Sequence, residues 1–194
     1  MTDLIKIMHN CIKKEADALL HIADTIDDVD ISFLKKIHEC SGNVIISGIG
    51  KSFIVGKKIA GTFSSIGVPT IAISISDMLH GNIGMLSKND IIIIISNSGE
   101  TKEVIEFARH LKMIGNFTIL SITGNKKSTL AKLSDISKEI KVIEAGPYSI
   151  IPTTSTTATM AYGDAIASAL AHCSGLTLST FKKYHPAGKI GSIL

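Results

Sequence analysis

The sequence contains no tryptophan, and aromatic residues make up only 5% of its 194 positions. A sugar bound here would be held by hydrogen bonds and charge, not by an aromatic stacking platform. Cysteine is scarce: Cys11, Cys40 and Cys173 are odd in number, far apart and without metal-ligand spacing. That argues against a disulfide framework or a structural zinc site, and the expected state is reduced, buried thiols in a cytoplasmic protein. No Pro/Ser-rich linker, repeat or low-complexity stretch occurs. Charge of one sign is also missing. The net charge is +3 and the lysines are scattered, which gives no footprint for nucleic acid. No apolar run approaches the ~18 residues of a membrane span. Met1-Thr2-Asp3-Leu4 lacks the basic start of a signal peptide.

What is present is an apolar content of 45% against 19% charge, which predicts one folded domain over residues 1–194. Leu4, Ile7, Met8, Ile12, Leu19 and Ile22 approximate one helical stripe, and Phe33, Leu34 and Ile37 a second short helix. Residues 1–40 are thus expected to be a helical segment packed on the domain, with the acidic stretch 24–30 a solvated turn. Strand–loop–helix alternation follows. Strands are expected at 43–47, 69–74, 90–95, 117–122 and 136–142. Helices are expected at 52–66, 76–80, 101–114, 128–133, 153–172 and 179–184, with a loop at 81–84. The pattern predicts an α/β fold, a three-layer sandwich on a five-stranded parallel sheet with right-handed crossovers. The Ala-rich segment 156–171 is apolar on several faces, and we expect another subunit to cover part of it.

Five consecutive isoleucines, Ile91 to Ile95, run into Ser96-Asn97-Ser98-Gly99-Glu100-Thr101. A pure β-branched run reads as a strand buried on both faces. The hydroxyl-rich loop then opens a helix, at the strand end where parallel sheets bind ligands. Ser96, Ser98 and Thr101 could wrap a phosphate at that helix start, or Ser98 could serve as an ordinary N-cap. Residues 153–157, four threonines and Ser155, form a second hydroxyl-rich helix start with the same two readings.

Ser47-Gly48-Ile49-Gly50-Lys51-Ser52 invites two nucleotide motifs and satisfies neither. A P-loop needs glycine at position 45, where Ile45 stands, and a dinucleotide fingerprint needs glycine at position 53, where Phe53 stands. Lys51 remains as a cation at a helix start, opposed by the dipole, which a phosphate or carbonyl ligand would justify. Lys51, His80, Glu103 and Glu144 all follow or flank the carboxyl ends of expected strands. That set suits proton transfer beside a carbonyl, with a phosphate anchored nearby. Singly, each has a bland reading: the dipole favours Glu100 and Glu103 in any case.

Taken together, the blocks resemble the sugar isomerase (SIS) domain family, in its arabinose 5-phosphate isomerase branch. They are Gly48-Ile49-Gly50-Lys51-Ser52, His80-Gly81-Asn82-Ile83-Gly84-Met85, the 96–101 loop, Pro152-Thr153-Thr154-Ser155-Thr156-Thr157 with Gly163-Asp164-Ala165, and His185-Pro186-Ala187-Gly188. Ala187 departs from the family's usual glycine. The resemblance implies interconversion of D-arabinose 5-phosphate and D-ribulose 5-phosphate through an enediol, without a cofactor, in the supply of Kdo for lipopolysaccharide or capsule. It implies catalytic positions at Lys51, His80, Glu103, Glu144 and His185. It implies substrate contacts at Gly50, Ser52, Ser96, Asn97, Ser98, Thr101 and Ser155. Glu144 is the expected C1–C2 transfer base, His80 or His185 the ring-opening group, and Lys51 the oxyanion stabiliser. A homotetramer with shared active sites is expected. No metal is required, although zinc could be trapped at His80 and His185 as an inhibitor. Many members carry CBS domains after the SIS domain, and this sequence is expected to work without them. Two alternatives remain: a non-catalytic phosphosugar-binding regulator, or an SIS isomerase of another sugar phosphate, chosen by loops 77–82 and 145–152.

Overall fold

The computed structural model describes residues 2–187. Its sheet is built on β1 (Val44–Gly48), β2 (Thr70–Ala72), β3 (Ile91–Ile95), β4 (Thr118–Thr123) and β5 (Ile136–Glu139). All neighbours are parallel, and the spatial order is β2-β1-β3-β4-β5. The isoleucine strand is central: Ile93 stands opposite Ile46 on one side and Leu120 on the other. Branched side chains fit a pleated surface covered on both faces.

Alternation along β3 divides the interior into two cores. Ile91, Ile93 and Ile95 pack with α1 (Thr2–Ala23), α2 (Asp28–His38), α3 (Lys51–Ser65) and α7 (Thr154–Cys173). Ile92 and Ile94 pack with α4 (Ile75–Leu79), α5 (Lys102–Ile114) and α6 (Thr129–Leu133). None of the five isoleucines is more than 6% exposed. Burying each contributes about 1.5–3 kcal/mol before entropy is counted. The three layers are therefore a consequence of period-two alternation in one strand. α8 (Leu178–Tyr184) follows α7. No helix among the described residues is long and apolar enough to cross a membrane.

Every expected strand and helix is found, with most ends at or within one residue of the expected position. Two strands are shorter than expected, because β2 stops at Ala72 and β5 at Glu139. The segment 81–84 is not plain loop: a 3-10 helix runs Asn82–Met85. The acidic stretch 24–30 is only partly a solvated turn. Asp27 and Asp30 form a reciprocal capping box at the start of α2. Asp30 is buried, and its Oδ2 accepts a 2.7 Å bond from the buried ammonium of Lys138 on β5. Cys173 is exposed and Cys11 and Cys40 are half-buried, so the expectation of buried thiols does not hold. One face of α7 is covered within its own chain, where Ala158, Tyr162, Ile166 and Leu170 join the core shared with α1, α2 and α3, while Ala161 and Ala169 are half-buried and Ala165 is exposed. A larger apolar face is left open on α1. Leu4, Ile7, Met8 and Ile12 of its stripe are exposed, and only Leu19 and Ile22 reach the core.

Candidate functional site

The strand order creates the site. β1 leads through α3 to β2 on one side, and β3 leads through α5 to β4 on the other. Connections leaving adjacent strands in opposite directions open a crevice at the carboxyl edge of the sheet. Here that crevice is a cleft of about 280 Å³, lined by Ile49, Ser52, Ile95, Ser96, Asn97, Ser98, Thr101 and Val104. Ser52 and Asn97 also border a deeper recess that reaches Thr123, Ser155 and Thr156. The tertiary fold thus gathers Ser52, Ser96, Asn97, Ser98, Thr101 and Ser155 from three separate segments.

The hydroxyls of the 96–101 loop divide their labour. Ser96 is buried and its Oγ accepts the Gly99 N–H at 3.2 Å, which closes the loop. Gly99 has φ +65°, and a Cβ there would lie 2.2 Å from Ser128 Oγ. Ser98 is exposed, accepts the Glu100 N–H at 3.2 Å, and lies 3.5 Å from Thr101 Oγ1. Ser98 is therefore not the cap of α5. Thr101 holds the cap position, and no side chain accepts from the first turn. Asn97 is pinned through its backbone, its carbonyl accepting the Gly124 N–H at 2.8 Å.

α3 begins in the same way. Gly50 precedes it at φ 57°, ψ −127°, a backbone state that glycine tolerates best, with no side-chain cap and no acidic residue in the first turn. Two helix N-termini with unclaimed N–H groups therefore face one cleft, which favours an anion there. Lys51 opens α3 exposed to solvent and lines the adjoining groove between α3 and α7, which it shares with Thr156.

Glu144 is treated differently. Its carboxylate accepts from Thr153 N–H (2.8 Å), Thr153 Oγ1 (3.2 Å), Ser155 N–H (3.2 Å) and the Ser155 hydroxyl. It caps α7 from outside the helix. Burial pushes the Glu144 carboxyl up, but the hydrogen bonds from Ser155 and Thr153 outweigh burial and hold it below the usual carboxylate range. Glu100, in the hydroxyl loop, is likewise held low by the Thr129 N–H it accepts at 2.7 Å, with Lys132 adding to the effect.

The remaining expected residues do not line the cleft. His80 caps the end of α4 and is exposed, and Glu103 is exposed in the first turn of α5. His185 is half-buried at the end of α8, its Nδ1 2.9 Å from the Phe181 carbonyl and its ring stacked on Phe181 at 3.9 Å. Tyr184 beside it lies against Gly67, at the amino edge of the sheet. Gly188 of the final block lies outside the described residues. No three His, Cys, Asp or Glu side chains converge among the described residues, so zinc at His80 and His185 is not built within one chain. Sequence reasoning passed over Thr123 and Gly124, which enter the recess only because β4 lies beside β3.

A parallel sheet of this order, with a hydroxyl loop and two open helix starts at its switch point, is the architecture of an SIS domain. The SIS domain family model matches residues 36–169, and the chain belongs to that family. Its particular relatives are arabinose 5-phosphate isomerases. The chain is 40% identical over 190 residues to the arabinose 5-phosphate isomerase KpsF of Escherichia coli O6:H1, covering 97% of this chain and 58% of that protein. It is 37% identical to the arabinose 5-phosphate isomerase KdsD of Pseudomonas aeruginosa, with the same coverage. The chain thus spans a little under three fifths of the length of these relatives. Among solved structures, the Escherichia coli CFT073 protein c3406, in complex with arabinose 5-phosphate, superposes with a TM-score of 0.91 at 36% identity, covering 95% of this chain and 98% of that one.

Proposed function

We propose that the chain interconverts D-arabinose 5-phosphate and D-ribulose 5-phosphate as an aldose–ketose isomerase. One observation carries the reading: the uncapped starts of α3 and α5 meet at the β1–β3 crevice over Ser52, Ser98 and Thr101. That arrangement suits a phosphate monoester. The relatives support the sugar, since two are arabinose 5-phosphate isomerases and one solved neighbour holds that ligand.

The chemistry follows from what an aldose phosphate needs. A histidine, His80 or His185, opens the ring by passing a proton between the anomeric oxygen and the ring oxygen. A carboxylate then takes the C2 proton of the open chain. The electron pair forms the C1–C2 enediol, and negative charge develops on O1 opposite Lys51. The proton then returns to C1 while the O2 proton passes to O1, which leaves a C2 carbonyl and a C1 hydroxyl, the ketose. No step calls for a cofactor. Because His80, Glu103 and His185 lie outside the cleft of their own chain, the reading includes a homotetramer in which copies complete each other's sites. In metabolism it places the chain in the supply of Kdo for lipopolysaccharide or capsule.

The test is ketose formation from D-arabinose 5-phosphate, measured against a panel of aldose phosphates. Preference for D-arabinose 5-phosphate is expected. Replacing Ser98 by Ala and Thr101 by Val together should raise KM about tenfold or more while the fold stays intact. Binding without turnover of any sugar phosphate would identify a regulator instead. Turnover of a different aldose phosphate would move the substrate within the family.

A further inference from the structure

We propose that Glu144 is a positioning residue of this isomerase, not its proton-transfer base: it pins the start of α7 so that Ser155 and Thr156 stand in the recess beside the cleft. The inference rests on the isomerase reading above and reassigns one member of its catalytic set.

A transfer base needs a free lone pair aimed at the substrate carbon and within reach of its proton. Glu144 has neither. A carboxylate offers about four acceptor sites, and Glu144 receives hydrogen bonds from two backbone N–H groups, from the Ser155 hydroxyl and, shared with the Ile151 carbonyl, from the Thr153 hydroxyl. It is 9% exposed and does not border the cleft or the recess, whereas Ser155 borders the recess and donates to it. Ser155 therefore stands between Glu144 and any ligand. Hydrogen bonds that favour the ionised form also make it a weaker base.

The same bonds have a clear mechanical result. Residues 145–152 form a loop that leaves the sheet and returns at α7, and its neck is closed twice. Glu144 accepts from Thr153, and the Ala145 N–H donates to both Thr153 Oγ1 (3.1 Å) and Thr154 Oγ1 (2.9 Å). Within the loop, Tyr148 and Ser149 hold φ of 59° and 54°, a left-handed state that costs non-glycine residues free energy. A strained loop feeding a helix start needs such a clamp to fix where that helix begins. The unclaimed carboxylate of the set is Glu103, exposed in the first turn of α5 two residues after Thr101 and without a hydrogen-bond partner among the described residues. With Glu144 committed to the clamp, proton transfer is assigned to Glu103, the remaining carboxylate of the set.

The experiment compares Glu144→Gln, Ser155→Ala, their double variant and Glu103→Gln in the full chain. It reads KM and kcat for D-arabinose 5-phosphate, ligand affinity by calorimetry, Tm and the pH profile of kcat/KM. For Glu144→Gln the expected result is a KM and Kd raised about tenfold, a lowered Tm, a smaller fall in kcat, and an acid limb that persists. Ser155→Ala should act in the same direction, and the double variant should be no worse than the worse single one, because the two residues act as a unit. Glu103→Gln should lose kcat by about a hundredfold or more at nearly unchanged KM, and lose the acid limb. The proposal is overturned if Glu144→Gln keeps KM and Tm but loses about a thousandfold in kcat together with the acid limb. Near-normal turnover in Glu103→Gln overturns the assignment of the base. If Glu144→Gln does not fold, Ser155→Ala decides, and an unchanged KM there overturns the proposal. Affinity and Tm need no turnover, so a wild-type protein that makes no ketose refutes the isomerase reading separately from the clamp.

Discussion

Identical side chains take different work from their surroundings. Ser96 and Ser98 are two residues apart, yet one is buried with its oxygen spent on the Gly99 N–H and the other is exposed beside Thr101. Ser96→Ala should therefore leave a buried N–H unpaired and cost about 1–3 kcal/mol of stability, read by urea unfolding. Ser98→Ala should leave stability nearly unchanged and weaken sugar-phosphate binding. Two buried carboxylates set the acid response. At Asp90, as at Glu144, burial pushes the carboxyl up, but bonds from Ser87 and Asn43 outweigh it and hold it low. A carboxyl with a lowered folded value contributes stability that is complete above its unfolded value and is lost as pH falls through the folded one. Stability should thus hold down to the ordinary values of 4.5 for Glu144 and 3.8 for Asp90, and fall below them. Asp90→Asn and Glu144→Gln should each flatten that acid slope in a pH series of unfolding curves.

Helix ends explain why the site sits where it does. α7 has its first-turn N–H groups answered by Glu144, while α3 and α5 have no side-chain answer at all. A fold that caps one helix start and leaves two open at the same crevice has kept those two for a ligand. The loop before α5 depends on Gly99, whose carbonyl also accepts the Leu130 N–H at 3.1 Å at the start of α6. Gly99→Ala would combine a left-handed backbone with a Cβ 2.2 Å from Ser128 Oγ. It should lower Tm and raise KM together, since α5 and α6 both move. Elsewhere the joint between α2 and β5 is a buried ion pair, Lys138 with Asp30, and Lys138 also donates to the Thr25 carbonyl at 3.2 Å. Beside it the Tyr162 phenol, pushed far up by burial and by Asp30, stays neutral. Lys138→Met strands a buried carboxylate and should cost about 3–5 kcal/mol by equilibrium unfolding.

At the scale of the molecule, one chain presents an incomplete set. The hydroxyls of Ser52, Ser96, Ser98 and Thr101 converge, but His185 sits beside Tyr184 and Gly67 at the opposite edge of the sheet. The exposed apolar side chains Leu4, Ile7, Met8 and Ile12 on α1 offer a surface for another copy. Mixing inactive Lys51→Ala and His185→Ala variants tests sharing directly. If one copy's His185 serves another's Lys51, hybrids regain activity that neither variant has. Hybrids as inactive as their parents would mean that each copy supplies its whole site.

Much of this was legible in the order of residues. Ile91 to Ile95 specify a strand covered on both faces, because only a parallel interior accepts such a run, and the small hydroxyl residues after it specify a polar turn into a helix. Ile45 and Phe53 rule out the nucleotide motifs without any coordinates. These are local facts, decided by period, side-chain size and backbone freedom within a few residues. Other features depend on partners far away in the chain. Asp30 reads as a solvated turn residue until Lys138 arrives 108 positions later to pair with it. Glu144 reads as an unpartnered carboxylate until Thr153 and Ser155 fold back upon it. Thr123 joins the recess only through strand order. The sequence by itself determined the elements and the hydroxyl-rich loop at 96–101. Only the tertiary structure decided which polar groups stay free to act, because each long-range hydrogen bond removes a lone pair or a donor from the chemistry that remains.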